Sequence, residues 1–138
     1  MGRMPTLETC RREIEDLHAF FVRWYAGRID RGEFDRLERA LAPEFEMISP
    51  TGGRSDRAAV LDWIRESYGR EAPGDFDIEI RNAELVRDLG EHALVRYEEW
   101  QCENGDENGR ISTVLLREAD SAPGGVEWID LHETALEG

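Results

Sequence analysis

Residues 92–119 read HALVRYEEWQCENGDENGRISTVLLREA, and the parsing of this run decides the fold. Ala93, Val95 and Tyr97 alternate with Leu94, Arg96 and Glu98, the two-residue period of a strand rather than the period of a helix. "NGDENG" at 104–109 interrupts the run as a strong hairpin signal, and 110–119 resumes as a second strand. Working outward, "DSAPGG" (120–125) is a further turn, and 126–136, VEWIDLHETAL, is the last strand. Upstream, "DLGE" (88–91) is a turn preceded by alternating Phe76, Ile78 and Ile80, continued irregularly through Ala83, Leu85 and Val86. Four hairpin-linked strands thus make up the second half of the chain.

The first half reads differently. Over 7–26, Leu7, Cys10, Ile14, Leu17, Phe21 and Trp24 recur at intervals of three and four, a helix with one buried stripe. Thr6 is its expected N-cap and Gly27 its stop. A shorter helix starts at the capping pair Asp30 and Glu33, turns Phe34, Leu37 and Leu41 inward, and ends at Pro43. "EFEMIS" is a short strand closed by the turn "SPTGGR". Ser55 caps a third helix that buries Val60 and Ile64 and ends at Gly69. The order, two helices, a strand, a helix and four strands, predicts one α+β domain over 1–138.

Charge restricts the partners. The chain has 31 acidic and 17 basic residues, a net charge of −14, and every basic residue is Arg. Such a surface repels phosphate backbones, which argues against nucleic acid. No apolar run reaches the length of a membrane span, and the N-terminal stretch lacks the apolar centre of a signal peptide, so a cytoplasmic location away from membranes is expected. The acids are spread along the chain, as in a solvated shell. At molar salt the Debye length shrinks to about 3 Å and such a shell costs little self-repulsion, so a halophilic, salt-adapted source is expected. Cys10 and Cys102 stand alone, with no paired-cysteine motif, and read as free thiols.

The last strand raises the functional question. Strict alternation sends Trp128, Asp130, His132 and Thr134 to one face, and Ile129, Leu131, Glu133 and Ala135 to the other. A face mixing an indole with an acid, an imidazole and a hydroxyl either meets water or lines a cavity.

The element order, with the strings "ALAPEFEMISPTGG" (40–53), "SDRAAVLDWI" (55–64), "ALVRYEEWQ" (93–101) and "WIDLHETAL" (128–136), resembles the SnoaL-like (DUF4440-type) branch of the NTF2-like superfamily. The resemblance covers residues 10–136. It implies a cone: three N-terminal helices packed in a strongly curved antiparallel sheet around an interior pocket, with homodimers formed through the outer sheet face. On that reading Trp128, Asp130, His132 and Thr134 line the pocket. Tyr97, Glu99 and Gln101 join them by continuing the face of Ala93 and Val95, and Trp24, Tyr25 and Trp63 supply aromatic wall. Apolar walls with a few convergent polar groups are what small-molecule sites show. Whether Arg110 and Ser112 or Ile111 and Thr113 face inward is left open, since both sets are mixed.

For catalysis, His132 is the first candidate and Asp130 the second. A general base needs a partner to fix its tautomer, and Asp130 lies roughly 6.5–7 Å along the strand, with Glu99 or Tyr97 across the sheet as alternatives. Passive pocket lining is the competing reading of His132. The three histidines, His18, His92 and His132, show no metal-ligand spacing, so neither metal nor cofactor is expected. Isomerases of the superfamily carry an Asp where this chain has Ser49, before Pro50. A serine without its own base cannot take that proton, which excludes isomerase chemistry of that kind. The expected function is therefore small-molecule binding. An enzyme working through His132 on a carbonyl or polycyclic substrate is one alternative, and a structural module with a filled cavity is another. The dimer face is expected to comprise Leu94, Trp100, Ile129, Leu131 and Ala135, with Arg96 and Glu98 at its rim.

Overall fold

The computed structural model describes residues 5–72 and 74–136. Helix α1 spans Leu7–Tyr25. Thr6 caps it, its hydroxyl accepting from Thr9 N at 3.1 Å. Gly27, at φ +65°, leaves it in the left-handed conformation that favours glycine. The stripe residues Cys10, Ile14, Leu17 and Trp24 are buried, but so are Glu13 and His18, so α1 is enclosed on more than one side. A 3₁₀ turn, Arg31–Phe34, leads into α2, Asp35–Ala40.

The second helix stops at Ala40, earlier than the expected end at Pro43. Strand β1, Leu41–Ile48, already contains that proline. Pro43 has no N–H for a ladder, and it lies where the pairing slips, between Leu41↔Trp128 and Glu46↔Asp130. β2 is the short segment Arg54–Asp56, absent from the sequence expectation. It takes up Ser55, and Asp56 becomes the cap of α3, Arg57–Glu66, accepting from Ala59 N at 2.9 Å. Both residues are good caps, so composition did not distinguish them.

β3 (Phe76–Leu89), β4 (His92–Glu103), β5 (Asp106–Glu118) and β6 (Val126–Ala135) are the expected hairpin strands. In the β4–β5 hairpin only Asn104 and Gly105 form the turn, at φ +53° and +87°, as a two-residue Asn-Gly hairpin requires. The second Asn-Gly pair lies inside β5. Gly109 sits opposite Trp100, and a Cβ there would come within 2.8 Å of the indole ring.

The curved, open sheet has the order β2-β1-β6-β5-β4-β3. All neighbours are antiparallel except β1 and β6, which run parallel. The expected all-antiparallel sheet is corrected there: alternation identifies strands but not their neighbours or directions. One face packs on the helices through Ala93, Val95, Tyr97, Val114, Leu116, Val126 and Trp128, all nearly inaccessible to solvent. β3 is an edge strand whose pairing slips between Arg81 and Glu84 and between Leu85 and Arg87.

β6 contains the irregularity that matters for function. Leu115 pairs with Asp130, but the next β5 residue, Leu116, pairs with Trp128. Ile129 is the extra residue of a β-bulge, and the side-chain phase shifts by one across it. Trp128 points to the helices, as do Leu131 and Glu133, while Asp130, His132 and Thr134 are exposed on the other face.

Candidate functional site

The helices do not fill the concave side of the sheet. A cavity of about 370 Å³ lies against α1, α3 and strands β1, β4, β5 and β6. Phe21, Leu37, Phe45, Met47, Trp128 and Leu131 give it apolar walls. Ser49 and Pro50 reach it from the β1–β2 turn, and Trp63 of α3 lines it while remaining 55% exposed, which places that indole at the opening. Tyr25 lines it with the Arg70 guanidinium stacked 4.0 Å from its ring centroid.

A polar row crosses this apolar setting: His18, Glu99, Gln101, Arg110 and Glu133. Register builds most of it. Glu99 of β4 pairs directly with Arg110 of β5, and Ser112 of β5 pairs with Glu133 of β6. α1 lowers His18 onto the row, with Nε2 3.0 Å from Glu99 Oε1. His18 Nδ1 lies 2.7 Å from the Ile14 carbonyl, which can only accept, so Nδ1 carries a hydrogen. The second Glu99 oxygen accepts from Gln101 Nε2 at 2.6 Å. Glu133 accepts from Arg110 Nη1 at 3.3 Å, and more weakly from the Ser112 hydroxyl at 3.5 Å.

These contacts separate the acids electrostatically. Burial alone would lower the His18 pKa, but the charge and hydrogen bond of Glu99 outweigh it and the net direction is upward. Burial pushes Glu99 up, yet His18 and Gln101 bring it down to about 2. Both shifts favour an imidazolium beside a carboxylate. Glu133 goes the other way, raised first by burial and then by the negative charge of Glu99, against the opposing pull of Arg110 and His18. One carboxyl is thus held ionised and its neighbour is pushed toward the neutral acid. Burial also lifts Tyr97 well above its ordinary value. Its hydroxyl makes no hydrogen bond of good geometry among the described residues, although Ser112 is close enough to influence it.

The expected pocket residues divide. Tyr25, Trp63, Glu99, Gln101 and Trp128 line the cavity. Trp24 and Tyr97 are buried behind its wall, the former donating its indole N–H to the Ile64 carbonyl at 2.7 Å. Asp130, His132 and Thr134 lie in a shallow groove on the opposite sheet face with Leu94, Arg96, Ile111, Thr113 and Leu115. Their assignment to the pocket, and with it the catalytic candidacy of His132 and Asp130, is corrected by the Ile129 bulge. Leu131, expected on the dimer face, is inside for the same reason. The open choice on β5 resolves to Arg110 and Ser112 inward.

Two residues of the row were missed, His18 and Glu133, and Arg110 was one side of the open choice on β5. His18 had a legible signal, since it lies four residues after Ile14 and three before Phe21, beside the buried stripe. Arg110 had one too, because counting back from a two-residue Asn104–Gly105 turn pairs it with Glu99. Glu133 had none, for the bulge contains no glycine or other mark. Among the described residues no group of three or more His, Cys, Asp or Glu side chains converges as a metal site, and no helix is long and apolar enough to cross a membrane.

Comparison with known proteins agrees with this architecture. The family model described as sucrose-6-phosphate phosphohydrolase C-terminal matches residues 10–137. An NTF2-like protein of unknown function from Pseudomonas aeruginosa is 31% identical, with TM-score 0.84 over 94% of this chain and 99% of that one. The calcium/calmodulin-dependent kinase II (CaMKII) hub of S. rosetta shares the fold at 11% identity, with TM-score 0.72 over 99% of this chain and 98% of that one. An NTF2-like protein of unknown function in nutrient uptake from Rhodospirillum rubrum gives TM-score 0.61 at 18% identity, over 92% and 98% of the two chains. No curated protein matches. The superfamily expected from the sequence is the one found, although the matching model is not that of the SnoaL-like branch. A nearly full-length family match and a close structural relative together place this chain in the sucrose-6-phosphate phosphohydrolase C-terminal family, with an NTF2-like fold.

Proposed function

We propose that this chain is a small-molecule-binding domain of SnoaL-like type, holding its ligand in the cavity on the concave side of the sheet. One observation carries the reading: a row of ionisable side chains is buried against a space that other side chains do not fill. Burying such groups costs several kcal/mol each unless they are paired, and a purely structural core would favour apolar packing there. The name of the matched family refers to a phosphohydrolase acting on a sugar phosphate, so sugar phosphates belong in the first ligand screen beside aromatic and polycyclic compounds. A ligand at 100 times its Kd should stabilise the fold by about 2.7 kcal/mol through mass action. Thermal shifts on the wild type and on Met47→Trp, which narrows the cavity, test this. A library that leaves both proteins equally unmoved would refute the reading.

An enzymatic alternative is favoured by one feature, the carboxyl of Glu133 raised toward neutrality inside the cavity. On a small carbonyl or polycyclic substrate it would act as proton donor or acceptor, a role that His132 cannot take from the other face. Turnover present in the wild type and lost in Glu133→Gln would support it.

The domain is proposed to work as a homodimer through the outer sheet face. Leu94, Ile111 and Leu115 form an apolar strip there, bordered by Arg96, Thr113, Asp130, His132 and Thr134, and apolar strips on highly charged chains mark interfaces.

A further inference from the structure

The proposed ligand site has a polar end, and its donor inventory points to the ligand class. Arg110 carries five N–H donors. Among the described residues one of them is used, in the 3.3 Å bond to Glu133, and Arg110 is among the residues that line the cavity. Glu99, its cross-strand neighbour, gives its oxygens to His18 and Gln101 instead. The planar fork of Arg110 therefore faces the cavity with most of its donors available to an acceptor there. A bidentate oxyanion matches that fork best.

The local charge agrees. Within the row, His18 and Glu99 neutralise each other at 3.0 Å. Arg110 is left facing Glu133, whose carboxyl is pushed toward its neutral form by burial and by Glu99. Arg70 stacks on Tyr25 at the cavity wall, with Glu71 3.6 Å away to offset its charge. Arg110 is thus the cationic group of the row that is offered to a ligand, inside a chain of net charge −14. A phosphate dianion would ask for more cationic donors than the Arg110 fork supplies, since His18 is engaged by Glu99 and Arg70 by Glu71.

We propose that the ligand is a monocarboxylic acid with an aromatic or aliphatic body, its carboxylate held by the Arg110 fork beside Glu133 and its body against Phe21, Trp63 and Trp128. The inference rests on the ligand-binding reading of the cavity. Glu133 then donates its acid proton to the bound carboxylate, so that two carboxyl groups share one proton beside the guanidinium. The charged groups that face Glu133 are Glu99 from β4, Arg110 from β5 and His18 from α1. Binding should weaken as pH rises through the raised Glu133 value, because a second negative charge then opposes the ligand.

The test is calorimetric titration at low chloride with naphthoate, naphthamide, phenylbutyrate, phenylbutyramide and naphthyl phosphate. The acids are expected to bind at least about tenfold more tightly than their amides, the margin of one charge-assisted bidentate contact. Arg110→Gln should remove that margin, weakening the acids by at least about tenfold more than the amides. Arg110→Lys, which keeps the charge without the fork, should keep part of it and serves if the first variant does not fold. Glu133→Gln should bind the acids with little dependence on pH. Amides binding as well as acids, or naphthyl phosphate binding better than naphthoate, overturns the carboxylate inference and leaves the pocket reading standing. No binding by any of the five also overturns the carboxylate inference, and the pocket reading is then decided by the thermal-shift library.

Discussion

His18 and Glu99 meet at 3.0 Å across 81 positions of sequence, with both side chains 6% exposed. Helix and sheet are pinned at this point by a charge pair. Removing one member leaves the other charged and buried, which costs about 3–5 kcal/mol in comparable pairs. His18→Ala should lower stability by that order, and Glu99→Gln by less, since its amide can still hydrogen-bond. The pH dependence has a definite sign. The raised His18 contributes fully below its reference value of 6.5 and loses its contribution as pH rises through the folded value. The depressed Glu99 contributes fully above 4.5 and loses its contribution as pH falls toward about 2. The difference in urea midpoint between wild type and His18→Ala should be largest between those two reference values and shrink on the alkaline side. A constant difference up to strongly alkaline pH would contradict the ion pair.

Gly109 and Trp100 make a second separable contact. A methyl at Gly109 would come within 2.9 Å of three indole ring atoms, so Gly109→Ala should cost about 1–3 kcal/mol by overpacking. In a Trp100→Ala background the same substitution should cost close to nothing. A double-mutant cycle measured by urea denaturation isolates the term, and additive effects would place the strain elsewhere.

Gly124 gives a similar test on the other side of the core. A Cβ there would lie 3.0 Å from Glu13 Cδ and closer still to its Oε1. Glu13 accepts from Arg36 at 2.7 Å and from the Trp128 indole at 2.9 Å. Gly124→Ala should therefore disturb both bonds and lower the thermal midpoint. Gly124 needs no left-handed φ, so an unchanged midpoint would mean that Glu13 can move without losing them.

The acidic surface predicts a rise in stability from low to molar KCl. Self-repulsion at net charge −14 is screened as the Debye length contracts from about 10 Å at 0.1 M to about 3 Å at 1 M. Exposed pairs such as Arg54–Glu46 at 3.0 Å weaken in the same range, but such pairs are worth little. Denaturation midpoints across the series measure the balance. A falling curve would count against salt adaptation.

For the proposed dimer, Ile111→Glu places a charge in the apolar strip of the outer face, opposite Glu98 on β4. Light scattering at molar salt should give a dimer mass for the wild type and a monomer mass for the variant. A monomeric wild type at micromolar concentration would remove the outer face as an interface.

Much of this was legible beforehand because it depends on periodicity and turn chemistry. The α1 stripe, the Thr6 cap and the inward face of β4 all follow from local rules, and each is where those rules put it, whereas the expected 104–109 turn shortens to Asn104 and Gly105. What was illegible depends on pairing. The parallel partnership of β1 with β6 joins segments about eighty residues apart, and no local pattern encodes it. The Ile129 bulge adds one residue to one strand, and every side chain after it changes face. Of the site, the β4 half was readable and the Glu133 half was not. His18 lies one residue outside the stripe that the spacing of three and four marks on α1.

β3 forms one open margin of the sheet, and a bare margin is a template for another strand. Along it Asp77, Glu79, Glu84, Arg87 and Asp88 are exposed, and Asn82, at φ +56°, breaks the line of free backbone groups. Charge and kink together deny an incoming chain a straight run to pair with. The slipped register of β3 therefore works as a guard against fibre growth: the protein can leave its sheet unclosed, with room for a cavity, and stay out of ordered aggregates.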